Sequence, residues 1–96
     1  MNYLNKEERE NLKKELKDMS FNKAKFKLHH MDPKARLAYY RNVQMVGKWT
    51  TRFELPSLGT RVTLVENYDE ATRDNKVKSE YALVDVVVEP TADNRT

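Results

Sequence analysis

The stretch Tyr81-Ala82-Leu83-Val84-Asp85-Val86-Val87-Val88 decides how this chain is read. Four of its eight residues are valine, a β-branched type that suits a pleated surface and loses side-chain freedom in a helix. Ala82, Val84, Val86 and Val88 alternate onto one face, and Tyr81, Leu83 and Val87 share the other with Asp85. Both faces therefore read as covered, the pattern of a strand inside a sheet. Glu89-Pro90 is expected to stop it, because proline has no amide to give to a ladder.

Upstream of that stretch lie two more segments of strand character. Trp49, Thr51, Phe53 and Leu55 alternate with Lys48, Thr50, Arg52 and Glu54, which predicts one buried and one wet face. Pro56-Ser57-Leu58-Gly59 reads as a tight turn, with Gly59 supplying any positive φ. Thr60 to about Tyr68 is the next strand, with Val62 and Leu64 on one side and Thr63 and Val65 on the other. Asp69 to Lys78 is polar and reads as a hairpin loop; Thr91 to Thr96 reads as a fraying tail.

The amino-terminal half has a different grammar. Asn5 with Glu8 three residues on is a variant capping box, and Leu12, Leu16 and Met19 form a narrow apolar stripe. A helix over about Lys6 to Asp18 follows, lying on the surface of the domain or docking a partner through Leu12 and Leu16. Ser20 to Met31 fits two templates: Phe21, Ala24, Leu28 and Met31 suit a helical face, and Lys23, Lys25 and Lys27 alternating with Ala24, Phe26 and Leu28 suit an edge strand. Asp32-Pro33 looks like a helix start, so a second helix is expected from Pro33 to about Gln44. The rival is a β-hairpin turning at Asp32-Pro33-Lys34-Ala35.

Together these readings predict one α+β domain over residues 1–96. An N-terminal helix and a second helical segment would pack on an antiparallel β-meander of three to four strands. The basic, helical part is expected over 1–46, the meander over 47–90 and the tail over 91–96. The helices should cover the face that bears Trp49, Thr51, Phe53 and Leu55.

Composition narrows the function classes. The 96 residues are 39% hydrophobic and 34% charged, which suits a globular domain with a modest core. The absence of cysteine removes disulfides, thiolate metal sites and cysteine nucleophiles, and fits a reducing compartment. No apolar run reaches a membrane span, and the start is not a signal peptide, so the cytoplasm is the expected location and no membrane partner is expected. Net charge is +3, but residues 1–44 hold eleven Lys/Arg against six Asp/Glu, whereas residues 45–96 hold seven against nine. Such a split, +5 against −2, invites a nucleic-acid or acidic-protein partner.

Leu58-Gly59-Thr60-Arg61-Val62-Thr63-Leu64-Val65-Glu66, with Tyr81-Ala82-Leu83-Val84-Asp85 as a return strand, resembles part of the C-terminal domain of the Gre family of transcription elongation factors. That resemblance spans residues 58–85 and implies docking on an RNA polymerase-like machine. The loop from Asp69 to Lys78 is longer than the family's, and its acidic-tipped coiled coil has no counterpart here. No functional residue is carried over.

Residues able to do chemistry are few. His29 and His30 are adjacent, so they point about 100° apart on a helix or to opposite faces of a strand, and cannot readily share one ion. Asp85 among valines would mark a site if buried, and an outward-facing surface carboxylate if not. No glycine-rich phosphate loop occurs, since Gly47 and Gly59 stand alone. The strongest candidate is the basic-aromatic run from Phe21 to His30, continued by Lys34, Arg36, Tyr39, Tyr40 and Arg41. Lysine and arginine neutralise phosphates, and exposed aromatics stack on bases.

The expected function is a non-enzymatic binding module, without a cofactor or metal. Lys23, Lys25, Lys27, Lys34, Arg36 and Arg41 would contact nucleic acid or a nucleic-acid-processing complex. The alternative is a protein adaptor or assembly subunit, with a partner protein or a second copy of the chain bound through Leu12 and Leu16 of helix 1 or through the last strand. A small-molecule site or enzyme using Asp85 or a histidine ranks third.

Overall fold

A computed structural model of the chain describes residues 3–41, 48–67 and 83–91. Two helices, α1 (Lys6–Lys17) and α2 (Phe21–Met31), precede strands β1 (Arg36–Arg41), β2 (Lys48–Leu55), β3 (Thr60–Asn67) and β4 (Asp85–Pro90). The strands form one antiparallel sheet in the order β1-β2-β3-β4. The molecule is therefore α+β, with helices on a four-stranded meander.

The start of α1 is set by its cap. The Asn5 side chain accepts the Glu8 N–H at 2.8 Å, and the Glu8 carboxylate accepts the Asn5 N–H at 3.0 Å. Each bond satisfies a donor that the first helical turn leaves orphaned. The lead-in is fixed as well: the Leu4 N–H donates to the Leu58 carbonyl at 3.1 Å. Arg9, unremarked in the sequence, is buried and returns Nη1 to the Leu4 carbonyl at 2.8 Å. Leu12 and Leu16 then point inward, 4% and 0% exposed, where α1 packs over β4.

The second helix forms twelve residues before the expected place and ends just before the expected one begins. Ser20 caps α2, its hydroxyl accepting the Lys23 N–H at 3.3 Å, and Phe21, Ala24 and Leu28 are buried at helical spacing. The alternation of lysines over 23–27 does not make an edge strand; the apolar face at i, i+3 and i+7 prevails. The expected helix from Pro33 to about Gln44 is replaced by β1. Pairing with β2 gives its backbone donors and acceptors partners, and sets Leu37 opposite Phe53 over the core. Against that, the helix propensity of Ala35 to Ala38 is a weak preference. The hairpin rival was right about the turn at 32–35, although a helix, not a strand, leads into it.

Asp32 organises that turn in a role other than the expected N-cap. It is fully buried, with Oδ1 accepting the Lys34 N–H and Oδ2 the Ser57 N–H, each at 2.9 Å. Its own N–H closes α2 on the Leu28 carbonyl. One carboxylate thus ties the end of α2 to the turn between β2 and β3. That turn is a single 3-10 turn (Pro56–Leu58) closed by Gly59 at φ 56°, the left-handed conformation for which glycine was expected there.

Thr51, Phe53 and Leu55 of β2, Val62 and Leu64 of β3 and Val86 of β4 line the covered face, and Trp49 is half-buried at its end. Phe53 sits at the centre, its ring 6.5 Å from that of Phe21 and 6.0 Å from that of His29, which meets it edge-on. The two described helices lie away from the opposite face. There Arg36, Glu54, Arg61 and Glu89 stand in register across the four strands. Arg61 reaches Glu54 at 2.6 Å and Glu89 at 3.8 Å.

The valine-rich stretch is the largest correction. Its strand is the edge of the sheet, with one covered face, and it runs from Asp85 through Glu89-Pro90. Proline is tolerated there because an edge strand has one unladdered side. The alternation also breaks: Leu83 and Val86 are buried, Val84 and Val87 are 42% and 39% exposed. The Val84 N–H bonds the Val65 carbonyl at 2.8 Å although Asp85 is the register partner of Val65, so two residues face one. Such a bulge turns the chain and swaps the faces before it. At the other end the Thr91 N–H donates to the Gly59 carbonyl at 3.0 Å, so the expected tail does not begin by fraying. Tyr81, Ala82, the loop 69–78 and residues 92–96 lie outside the described residues.

Candidate nucleic-acid interface

The basic-aromatic run resolves into several surfaces. α2 carries three lysines and two histidines and no acid. Successive residues turn by about 100°, so Phe26 projects away from the buried Ala24 and Leu28. It is 77% exposed. Lys23, one turn before it, and His30, one turn after, are exposed on the same ridge. Lys25 and Lys27 flank the ridge on opposite sides. Lys27 leans toward α1, where Nζ meets the Glu15 carboxylate at 2.9 Å. Part of its charge is thus compensated within the molecule.

The other predicted contacts lie elsewhere. Lys34 is exposed in the turn at the C-terminal end of α2. Arg36 begins β1 and is in register with Glu54 on the sheet face opposite the helices. Arg41 ends β1 as the partner of Trp49; its side chain, like those of Tyr39 and Tyr40, lies outside the described residues. The structure therefore brings Lys23, Lys25, Phe26 and His30 onto one helix and separates Arg36 from them. Phe21, read as a possible stacking ring, is core.

Leu12 and Leu16 were expected to be available to a partner protein. They are instead part of the hydrophobic core. A shallow groove of about 280 Å³ runs between α1 and α2, lined by Leu4, Glu8, Leu12, Glu15, Lys27 and Met31. Neither histidine nor Asp85 borders it. Asp85 is exposed and accepts the Val86 N–H at 2.8 Å; His29 is half-buried against Phe53. Among the described residues, no three His, Asp or Glu side chains stand together as a metal site, and no helix is long and apolar enough to cross a membrane.

Phe26 is the residue that sequence reasoning placed least well. Read in the edge-strand template, it shares a face with Ala24 and Leu28; on a helix it is forced opposite to them. The chain matches no protein-family model, no curated protein and no solved structure.

Proposed function

We propose that this protein is a non-enzymatic binding module that takes nucleic acid on the outward side of α2, in the cytoplasm. One observation carries the reading: Phe26 stands 77% exposed on a helix with three lysines and no acid. A lone ring costs little to leave in water, but a ring among lysines matches a polyanion that also has apolar faces. The resemblance of residues 58–85 to Gre factors supports a broader form of the same proposal, a contact on a nucleic-acid-processing complex.

Fluorescence anisotropy with labelled RNA and DNA oligonucleotides tests it. Affinity should fall steeply from low to moderate salt, as counterion release requires. Lys23→Glu with Lys25→Glu should abolish binding with unchanged urea stability. Lys27 is best left alone, because Lys27→Glu would set two carboxylates together at Glu15. No shift at low salt ends the reading.

A second reading rests on β4. It is an edge strand with Val84 and Val87 exposed, and such an edge can accept a strand from another chain. An adaptor of this kind would associate with little salt dependence, and Val84→Lys with Val87→Lys would abolish the association.

A further inference from the structure

Resting on the nucleic-acid reading above, we infer that α2 takes an unpaired strand and that Phe26 selects it by stacking on a base. Phenylalanine has no donor or acceptor. Against the floor of a duplex groove its ring would cover polar base edges and return no hydrogen bond. The flat faces of the bases, which a ring can use, are hidden in a stacked duplex and open on a single strand. Lysines alone would serve phosphates on either form, so the ring carries the discrimination.

The placement suits that division of labour. Lys23 and His30 lie three and four residues from Phe26, about 4.5 and 6 Å along the helix axis. An exposed lysine and an exposed imidazole thus lie beside the ring, within reach of the phosphates that flank a stacked base. Lys25 adds a half-exposed cation on one flank. Asp32 follows the helix closely but is buried and bound to two amides, so its carboxylate is not on the surface that a strand would touch. An anionic lipid surface offers phosphates too. It would ask for an apolar face to embed, and among the described residues of the two helices Phe26 is the one large apolar side chain that is exposed.

The test compares a short labelled oligouridylate, an RNA duplex of equal length and phosphatidylserine vesicles in one buffer. The single strand should bind about tenfold more tightly than the duplex. Phe26→Ala should lower single-strand affinity about tenfold, leave duplex binding and the salt slope unchanged, and be rescued by Phe26→Trp. Because Phe26 is outside the core, each variant should keep the circular-dichroism spectrum of the parent. Equal affinity for duplex and single strand, or no loss on Phe26→Ala while Lys23→Glu still weakens binding, overturns the stacking role and spares the broader reading. Vesicle binding that depends on Phe26, with no binding to either oligonucleotide, overturns both.

Discussion

Asp32 accepts backbone amides from its own turn and from Ser57, 25 residues further along the chain, while fully shielded from water. A buried carboxylate is tolerable only when hydrogen bonds replace its hydration. Asp32→Ala would leave the Lys34 and Ser57 amides without that acceptor. A loss of at least about 2 kcal/mol is expected, since hydrogen bonds to charged groups contribute about 1.5–3 kcal/mol each. Urea unfolding measures it. Asp32→Asn keeps one acceptor oxygen and should lie between the two. Phe21 and Phe26 make an internal control on α2. Phe21→Ala empties a core position and should cost about 3 kcal/mol or more, whereas Phe26→Ala should change stability by less than about 0.5 kcal/mol. Equal costs would place Phe26 in a packed environment and remove the basis for its role in binding.

Helix α1 shows how far local rules reach at the scale of an element. Its capping box and i, i+4 stripe were both legible, because each is satisfied within a few residues. Asn5→Ala should cost about 1 kcal/mol, measurable as a shift in the urea midpoint at constant slope. What locality could not show was the neighbour of the stripe. Leu12 and Leu16 face β4 and the core, so Leu12→Asp or Leu16→Asp should unfold the domain, with loss of the cooperative transition in circular dichroism. A folded Leu16→Asp variant would contradict the burial of that side chain. α2 and β1 were ambiguous for a related reason: residues 20–45 meet helix and strand templates about equally, and short amphipathic runs do not arbitrate. Backbone pairing to β2 settled β1, and that partner lies in a later part of the chain.

For the molecule as a whole, the sheet divides charge between two sides. On the face opposite the helices Arg36, Glu54, Arg61 and Glu89 alternate in sign across the strands, and Arg61 is already engaged by both glutamates. The helical side keeps the excess of α2, lessened by the Lys27–Glu15 pair. If that excess drives binding, replacing Lys23 and Lys25 by glutamine should lower the salt-dependence slope by about 0.7 per lost phosphate contact on a single strand. Arg36→Gln should leave the slope unaltered. A drop on Arg36→Gln would move the binding surface to the sheet face opposite the helices.

Read alone, the order of amino acids was enough for the class of fold, the cap of α1, the strand polarity of residues 48–55 and the left-handed glycine at the β2–β3 turn. Each follows from dihedral preference or a short hydrophobic period, and neither needs a distant partner. The edge position of the valine-rich strand, its bulge at Val84, the clamp made by Asp32 and the exposure of Phe26 came from folding in three dimensions. Those depend on which segments become neighbours: burial and ladder pairing are properties of contacts between residues far apart in the chain, and no local pattern of side chains specifies them.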